Sequence, residues 1–227
     1  MVLGFLPSTS GFGFANSFPN VPVRRIGIPR VISLPIGDAS NGLCGGMAFA
    51  ARDYFEAERP PPDVASPPSE GELFDYLVDR LFDSFDLPFG PARYLELMNP
   101  LLPDAETFWS RLGIGPHGRA WRMLKQEWPK IRADIHTGHP SALGLVRMKS
   151  ADPFDLKRNH QVLAYGYDLV GSGLTLRLYD PNHPRDDDIT LSLSLASPSA
   201  PAAIAVSPSG PTVFAFFRVP YEPASPP

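Results

Sequence analysis

The sequence predicts an α+β domain in which helices are followed by a mostly antiparallel β-sheet. Helical spacing of apolar residues dominates from Gly45 to Gly138. The later runs are short, rich in β-branched and aromatic residues, and separated by Gly, Asp or Pro; they read "SALGLVRM", "HQVLAYGYDLV", "LTLRLYD", "ITLSLSL" and "TVFAFFRVP". Helices first and strands afterwards are typical of helix packed on sheet. With 227 residues, 43% of them hydrophobic, we expect a single domain over 1–227.

Three helical segments follow from the pattern. The first begins near Gly45, with Met47, Ala51, Tyr54 and Phe55 on one face and Arg52, Asp53 and Glu56 directed away from it. A second begins at "SEGE", where Ser69 and Glu72 form a plausible capping box. A third, "RAWRMLKQEWPKIRADIHTG", is one helix or two pieces around Pro129, and Gly138 is its predicted C-cap.

The 28 prolines mark the predicted loops. Proline fixes φ and removes an amide donor, so the stretches 59–71 and 196–211 are expected to be surface loops, neither helix nor central strand. Residues 58–125 are expected to form a helical insertion or lid, whose irregular part, 86–118, could cover a cleft. The end of the chain, 222–227, is expected to be a flexible tail.

Composition and charge argue against several kinds of partner and location. A net charge of −4 without a basic patch argues against nucleic acid as a partner. No apolar run reaches the roughly 20 residues that cross a bilayer, and the first residues lack the features of a secretory signal. One cysteine excludes an internal disulfide. We therefore expect a cytoplasmic protein without a membrane partner or a cofactor.

The candidate chemistry centres on the single cysteine, Cys44, in "NGLCGGMAFAARDYFEA". A thiol at the start of a helix, close to an imidazolium, ionises readily and becomes a nucleophile. His160 opens the second predicted strand and Asp180 ends the next, so a hairpin through "DLVGSG" would make them neighbours. Such a carboxylate can orient a catalytic histidine. The alternative for Cys44 is a buried structural thiol.

These stretches together resemble the papain-like cysteine peptidase superfamily, particularly its bacteriocin-leader-processing (double-glycine) branch and related uncharacterised bacterial proteins. The resemblance rests on "LCGGMAFAARDYF", "IHTGHPSALGLV", "NHQVLAYGYD" and "LYDPNHP" in this order. It implies a papain-like fold, with an N-terminal nucleophile helix packed on a C-terminal sheet. It also implies that Cys44 is the nucleophile, His160 the general base and acid, and Asp180 the orienting group.

One position departs from the family pattern. These enzymes usually carry a glutamine about six residues before the cysteine, where its amide helps to bind the oxyanion, and this chain has Asp38 there. A carboxylate would repel the developing negative charge. Asn41 or Asn16 could supply the donor instead, and Asn182 could replace Asp180 in orienting the histidine.

Three further histidines are candidate ligands of a metal site. His136 and His139 are three residues apart, and His183 could be a third ligand. Gly138 and Pro140 interrupt the helix that would align the first two, so we do not predict a metal.

The sequence therefore predicts a thiol hydrolase that cleaves a peptide or small amide through a thioester. Two alternatives stay open: an acyltransferase or transglutaminase-like enzyme on the same triad, and a non-catalytic binding or scaffold module that kept the fold. A protein partner or homo-oligomer is possible, because an exposed strand such as "TVFAFFRV" could pair between subunits, although it could equally lie inside the sheet.

Overall fold

The computed structural model describes residues 1–19, 42–208 and 210–227. Within them the protein is α+β, as predicted, and its helices precede most of the sheet. The helices are α1 (Pro7–Ser10), α2 (Cys44–Glu56), α3 (Glu72–Ser84), α4 (Phe89–Met98), α5 (Phe108–Arg111), α6 (Arg119–Trp121) and α7 (Trp128–His136), with a π-helical stretch at Arg122–Glu127 and a 3₁₀ helix at Pro153–Arg158. Among the described residues, none of these helices has the length and apolar character needed to span a bilayer.

All strand pairs of the six-stranded sheet are antiparallel. The strands are β1 (Ser141–Val146), β2 (His160–Val170), β3 (Gly173–Tyr179), β4 (Thr190–Ser194), β5 (Ala205–Ser207) and β6 (Ala215–Arg218), in the spatial order β5-β4-β3-β2-β1-β6. The five predicted strands are confirmed. The sixth, β5, lies inside the proline-rich stretch 196–211, and its place at the edge of the sheet agrees with the tolerance of edge strands for nearby proline.

The hairpin of β2 and β3 carries two of the predicted site residues. A two-residue turn joins the strands, and Gly171 in it adopts a φ of +59°. The register shifts by one residue between Ala164 and Gly166, which marks a β-bulge. Beyond the bulge Leu163 pairs with Tyr179, so Asp180 follows opposite Val162. Side chains alternate along a strand, and Val162 and His160 therefore share a face with Asp180.

Helix α2 is buried on nearly all sides, not on one face as predicted. Asp53, expected to point to solvent, is among its most buried residues, because Arg80, Tyr76 and Tyr221 all bond to its carboxylate. The helix packs on α3 and against β2. In the latter contact Phe5 lies between Phe55 of α2 and Tyr165 of β2.

Of two predictions about helix ends, one is wrong and the other is confirmed. The capping box of Ser69 and Glu72 was wrong: α3 begins at Glu72 itself, after Gly71 at a φ of +89° and without a side-chain cap. The prediction that Gly138 caps the C-terminal end of the third helix is confirmed. Gly138 adopts a φ of +87°, and the amide of His139 donates to the carbonyl of Asp134, as in a Schellman motif.

The third predicted helix is one continuous helical run from Arg119 to His136. Its middle, directly before Pro129, is π-helical. Proline cannot donate a backbone hydrogen bond, so irregular helical structure beside Pro129 is expected. The run also covers the sheet edge formed by β6, because Glu127 accepts from the amide of Arg218 at 2.9 Å and Met123 Sδ from that of Phe216 at 3.3 Å. Strand β6 is therefore an edge strand shielded by side chains of the same chain.

The segment 58–125, expected as an insertion or lid, shares the main hydrophobic core. Leu77 and Leu81 of α3 and Leu97 and Met98 of α4 belong to the same buried cluster as α2 and the sheet. The C-terminal residues are also held in place, where the sequence predicted a flexible tail. The amide of Ala224 donates to Asp53 Oδ1 and Arg59 donates to the carbonyl of Pro226, and proline further stiffens this segment.

Candidate active site

Cys44 is the first residue of α2 and is half-buried. The residue before it, Leu43, is fully buried, and its amide donates to Asn16 Oδ1 at 2.6 Å. Gly42 has a φ of +88°, a conformation that favours glycine. The sulfur is thus presented at the start of a 13-residue helix, at the end where the helix dipole favours negative charge.

The structure brings His160 and Asp180 together as predicted. His160 Nε2 lies 2.6 Å from Asp180 Oδ1, and the two side chains are 3% and 7% exposed. Asp180 Oδ1 also accepts from the backbone amide of Asn182 at 2.8 Å. The carboxylate is held by two donors on one oxygen, and this fixes both the position and the tautomer of the imidazole.

Cys44 completes the constellation from the other side of the ring. The charge and hydrogen bond of His160 and the backbone amide of Gln161 all lower the pKa of the Cys44 thiol. Because Nε2 is occupied by Asp180, Nδ1 is the nitrogen left for the thiol. Cys44, His160 and Asp180, which are 116 and 20 residues apart in the chain, form one connected hydrogen-bonded group.

The electrostatics of this group favour an ion pair. Burial opposes ionisation of the thiol, but the charge and the hydrogen bond of His160 outweigh it and lower the pKa of Cys44. Burial likewise opposes protonation of the imidazole, yet the Cys44 thiolate and Asp180 raise the pKa of His160 to about 9. The pKa of the Asp180 carboxyl lies below its usual value, since His160 more than offsets its burial. Both shifts favour the thiolate–imidazolium pair over the neutral thiol and imidazole.

Asn16 connects the two sides of the site. While its Oδ1 accepts from Leu43, its Nδ2 donates to Asn182 Oδ1 at 3.3 Å, and its own amide donates to the carbonyl of Pro181 at 2.8 Å. The loop before the nucleophile is thus tied to the loop after Asp180. Asn182 supports Asp180 and Asn16 and is not the partner of His160. Asp38 and Asn41, the other candidates for this region, lie outside the described residues.

The glycines after Cys44 serve helix packing. A Cβ at Gly46 would lie 2.0 Å from the carbonyl oxygen of Leu77, and one at Gly45 would lie 2.2 Å from Ser84 Oγ and 3.0 Å from Gln161 Oε1. Both positions face the interior, where they let α3 and the side chain of Gln161 approach α2. Glycine is required here by close backbone approach.

Three residues near the site were not found from the sequence. The Tyr94 hydroxyl donates to the carbonyl of His160 at 3.1 Å. The Gln161 side chain is buried, and its Oε1 has no hydrogen-bond partner. Arg147 Nη2 lies 4.0 Å from Asp180 Oδ2. Tyr94 had no signal in the sequence. Gln161 adjoins His160, and Arg147 directly follows the strand that pairs with β2, so the strand order could have indicated both.

The three histidines considered as metal ligands do not come together around a metal site in the described residues. His136 Nε2 lies 2.6 Å from the Tyr167 hydroxyl, and His139 Nδ1 lies 2.8 Å from Glu56 Oε1. His183 donates its backbone amide to the carbonyl of Asp180. Over the residues that the structure describes, no group of three or more His, Cys, Asp or Glu side chains is arranged to hold a metal ion.

Comparison with known proteins adds no relationship. No protein-family model, curated protein or solved structure matches this chain significantly.

Proposed function

We propose that this protein is a thiol hydrolase that cleaves an amide or peptide bond through Cys44, His160 and Asp180. The observation that carries the proposal is the His160 imidazole, whose Nε2 lies 2.6 Å from Asp180 Oδ1 and whose charge and hydrogen bond lower the pKa of the Cys44 thiol. The three side chains are in the order that covalent catalysis requires: nucleophile, base, orienting group. The papain-like resemblance of the sequence supports the same assignment.

In this mechanism the Cys44 thiolate attacks the carbonyl carbon of the substrate and forms a tetrahedral oxyanion. His160, protonated in the ion pair, gives its proton to the leaving amine as the C–N bond breaks and a thioester forms. The neutral imidazole then takes a proton from water, which attacks the thioester and releases the acid. The amide of Cys44, at the helix start, is a candidate oxyanion donor.

The half-buried state of Cys44 favours catalysis over a structural role for the thiol. A structural cysteine gains from full burial in apolar surroundings. Here the residue is half-buried, and a histidine, a backbone amide and the start of a helix surround its thiol. A non-catalytic scaffold would have no need to stabilise a thiolate at this place.

Alkylation by iodoacetamide across pH tests the proposal, and because the chain has one cysteine the adduct is unambiguous. An ordinary thiol of pKa about 8.5 would be about 1% ionised at about pH 6.5. We expect the wild type to react at that pH nearly as fast as at about pH 8. His160→Ala should react roughly tenfold more slowly at about pH 6.5, because the higher nucleophilicity of a more basic thiolate offsets part of the loss of ionisation.

His136→Ala is the matched control, since it removes an exposed imidazole that contacts only the far part of β2. Its labelling profile should equal that of the wild type. If all three proteins show the profile of an ordinary thiol, or if Cys44 reacts only after unfolding, the scaffold alternative is correct. Mass spectrometry with activated acyl esters, with and without an added amine, then separates hydrolysis of the thioester from acyl transfer.

A further inference from the structure

Arg147 is a charged side chain beside the candidate site that the triad does not use. It follows β1, whose Leu145 pairs with His160, and its own amide donates to Asn159 Oδ1. Its guanidinium reaches Asp180 Oδ2 at 4.0 Å and is close enough to Cys44 and Tyr94 to interact electrostatically with both. One positive charge therefore lies on the wall of the same site as the thiol.

The guanidinium of Arg147 is poorly satisfied within the protein. Its Nε is buried without a hydrogen-bond partner, and its nearest carboxylate oxygen lies beyond hydrogen-bond distance. Two other buried arginines differ. Arg80 donates from all three of its nitrogens, and so does Arg119. A buried donor without a hydrogen-bond partner is costly, so a bound anion that accepts from this guanidinium would be stabilising.

Asp180 does not neutralise Arg147 fully, because the carboxylate already serves His160. Its Oδ1 accepts from the imidazole and from the amide of Asn182, which fixes the plane of the carboxylate. The Arg147 side chain is 17% exposed, and Cys44 is also half-buried, whereas His160 is almost fully enclosed. Cys44 and Arg147 are thus the half-buried residues of this group, and Arg147 Nε has no hydrogen-bond partner.

We propose that Arg147 binds a carboxylate of the substrate, so that the bond attacked by Cys44 lies next to an acidic group. This inference rests on the proposed function and names its substrate class. A guanidinium matches a carboxylate through two parallel hydrogen bonds, which makes it suited to place an anionic group relative to a reacting carbonyl. The carboxylate is either the terminal α-carboxylate of a peptide or the side chain of Asp or Glu.

Two alkylating reagents of one chemistry test this binding. Iodoacetate and iodoacetamide both lose iodide as the Cys44 thiolate forms a C–S bond, but only iodoacetate carries a carboxylate. The ratio of their rates removes any change in thiolate fraction, which affects both. We expect Arg147→Gln to lower the iodoacetate-to-iodoacetamide ratio by roughly tenfold, as for loss of a charge-assisted hydrogen bond. Arg158→Gln, the same charge change at an exposed residue, should leave the ratio unaltered.

Arg147→Lys provides a second variant if Arg147→Gln does not fold. It keeps the charge but not the planar fork, and the ratio should fall several-fold. An unchanged ratio in the variants overturns the proposal, as does an equal slowing of both reagents, which would mean that Arg147 acts on the thiol. The failure of the proposed function is separate: it appears as an ordinary thiol profile of the wild type with iodoacetamide alone.

Two further reagent pairs distinguish the sources of the carboxylate. Iodoacetyl-glycine against iodoacetyl-glycinamide presents an α-carboxylate, and iodoacetyl-glutamate α-amide against iodoacetyl-glutamine α-amide presents a side-chain carboxylate. The pair whose rate ratio depends more strongly on Arg147 identifies the group that the site accepts. If neither ratio depends on Arg147, the proposal is wrong.

Discussion

Two buried charged clusters of this protein use similar side chains and differ in how completely they are satisfied. In the first, Asp53 accepts hydrogen bonds from Arg80 Nε and Nη2, both tyrosine hydroxyls of Tyr76 and Tyr221, and the amide of Ala224. In the second, Cys44, His160 and Asp180 are joined in a chain, but Arg147 Nε and Gln161 Oε1 beside them have no partner.

The difference indicates what each cluster does. The Asp53 cluster joins α2, α3 and the C-terminal segment, and the side chains of Asp53 and Arg80 are almost wholly enclosed, so its bonds stabilise the fold. In the Cys44 cluster, Arg147 Nε and Gln161 Oε1 have no hydrogen-bond partner, and Cys44 is half-buried. Unsatisfied buried polar groups are rare in stable proteins, and a missing ligand is one explanation for them.

The largest effect is expected from Asp53→Ala. It leaves Arg80 with only Asp83 and the carbonyl of Glu222 in a buried place, which should lower the free energy of unfolding by about 3–5 kcal/mol. Urea denaturation measures this loss. The labelling rate of Cys44 in the folded protein should stay the same, since the two clusters share no hydrogen bond.

Asp168→Ala is the control for that measurement, because Asp168 pairs with Arg177 on the surface at 2.8 Å. Its cost should be below about 1 kcal/mol. Tyr221→Phe removes one donor to Asp53 and should cost about 1 kcal/mol, and it remains measurable if Asp53→Ala is too unstable. If Asp53→Ala lowers the free energy of unfolding no more than Asp168→Ala does, the cluster does not stabilise the fold.

An intermediate effect is expected from Asp180→Asn, which keeps an oxygen for the amide of Asn182 but removes the charge beside His160. The pKa of His160 should then fall from about 9, because a nearby carboxylate raises it. As the pH rises, the imidazolium of this variant therefore loses its proton at a lower pH than that of the wild type. We expect iodoacetamide labelling at about pH 6.5 to slow roughly 3- to 10-fold.

Asp188→Asn is the control for charge, since Asp188 is exposed and eight residues further along. Its profile should follow the wild type. An Asp180→Asn protein that labels as fast as the control at every pH would show that the carboxylate does not support the ion pair.

The smallest effect is expected from Asn16→Ala. It removes the hydrogen bonds to Leu43 and Asn182 that hold the nucleophile loop and the loop after Asp180 together, each worth about 1 kcal/mol. Labelling at about pH 6.5 should slow a few-fold, and thermal unfolding should shift modestly. Ser17→Ala, at the neighbouring exposed residue, is the matched control, and equal rates in both variants would count against a clamp at Asn16.

Strand order made much of the site predictable. The hairpin of β2 and β3 follows from apolar runs on either side of a glycine turn, and it places the start of one strand beside the end of the next. Cys44 at a helix start follows from the periodicity after it. Burial of Asp53 could not be predicted, since its partners Arg80 and Tyr221 are 27 and 168 residues away. Periodicity assigns a charged residue to solvent unless a distant partner is known.

The sequence by itself determined the elements: a helix that begins beside the only cysteine, a strand that begins at His160 and a strand that ends at Asp180, one residue beyond its end in the structure. Only the tertiary structure decided which face each side chain takes. Without the bulge between Ala164 and Gly166, Asp180 would fall opposite Leu163 and point away from His160, because one residue of register exchanges the two faces of a strand. The contact of Cys44 with His160 likewise depends on how α2 docks against β2. Local patterns fix neither, since both arise from packing between segments far apart in the chain.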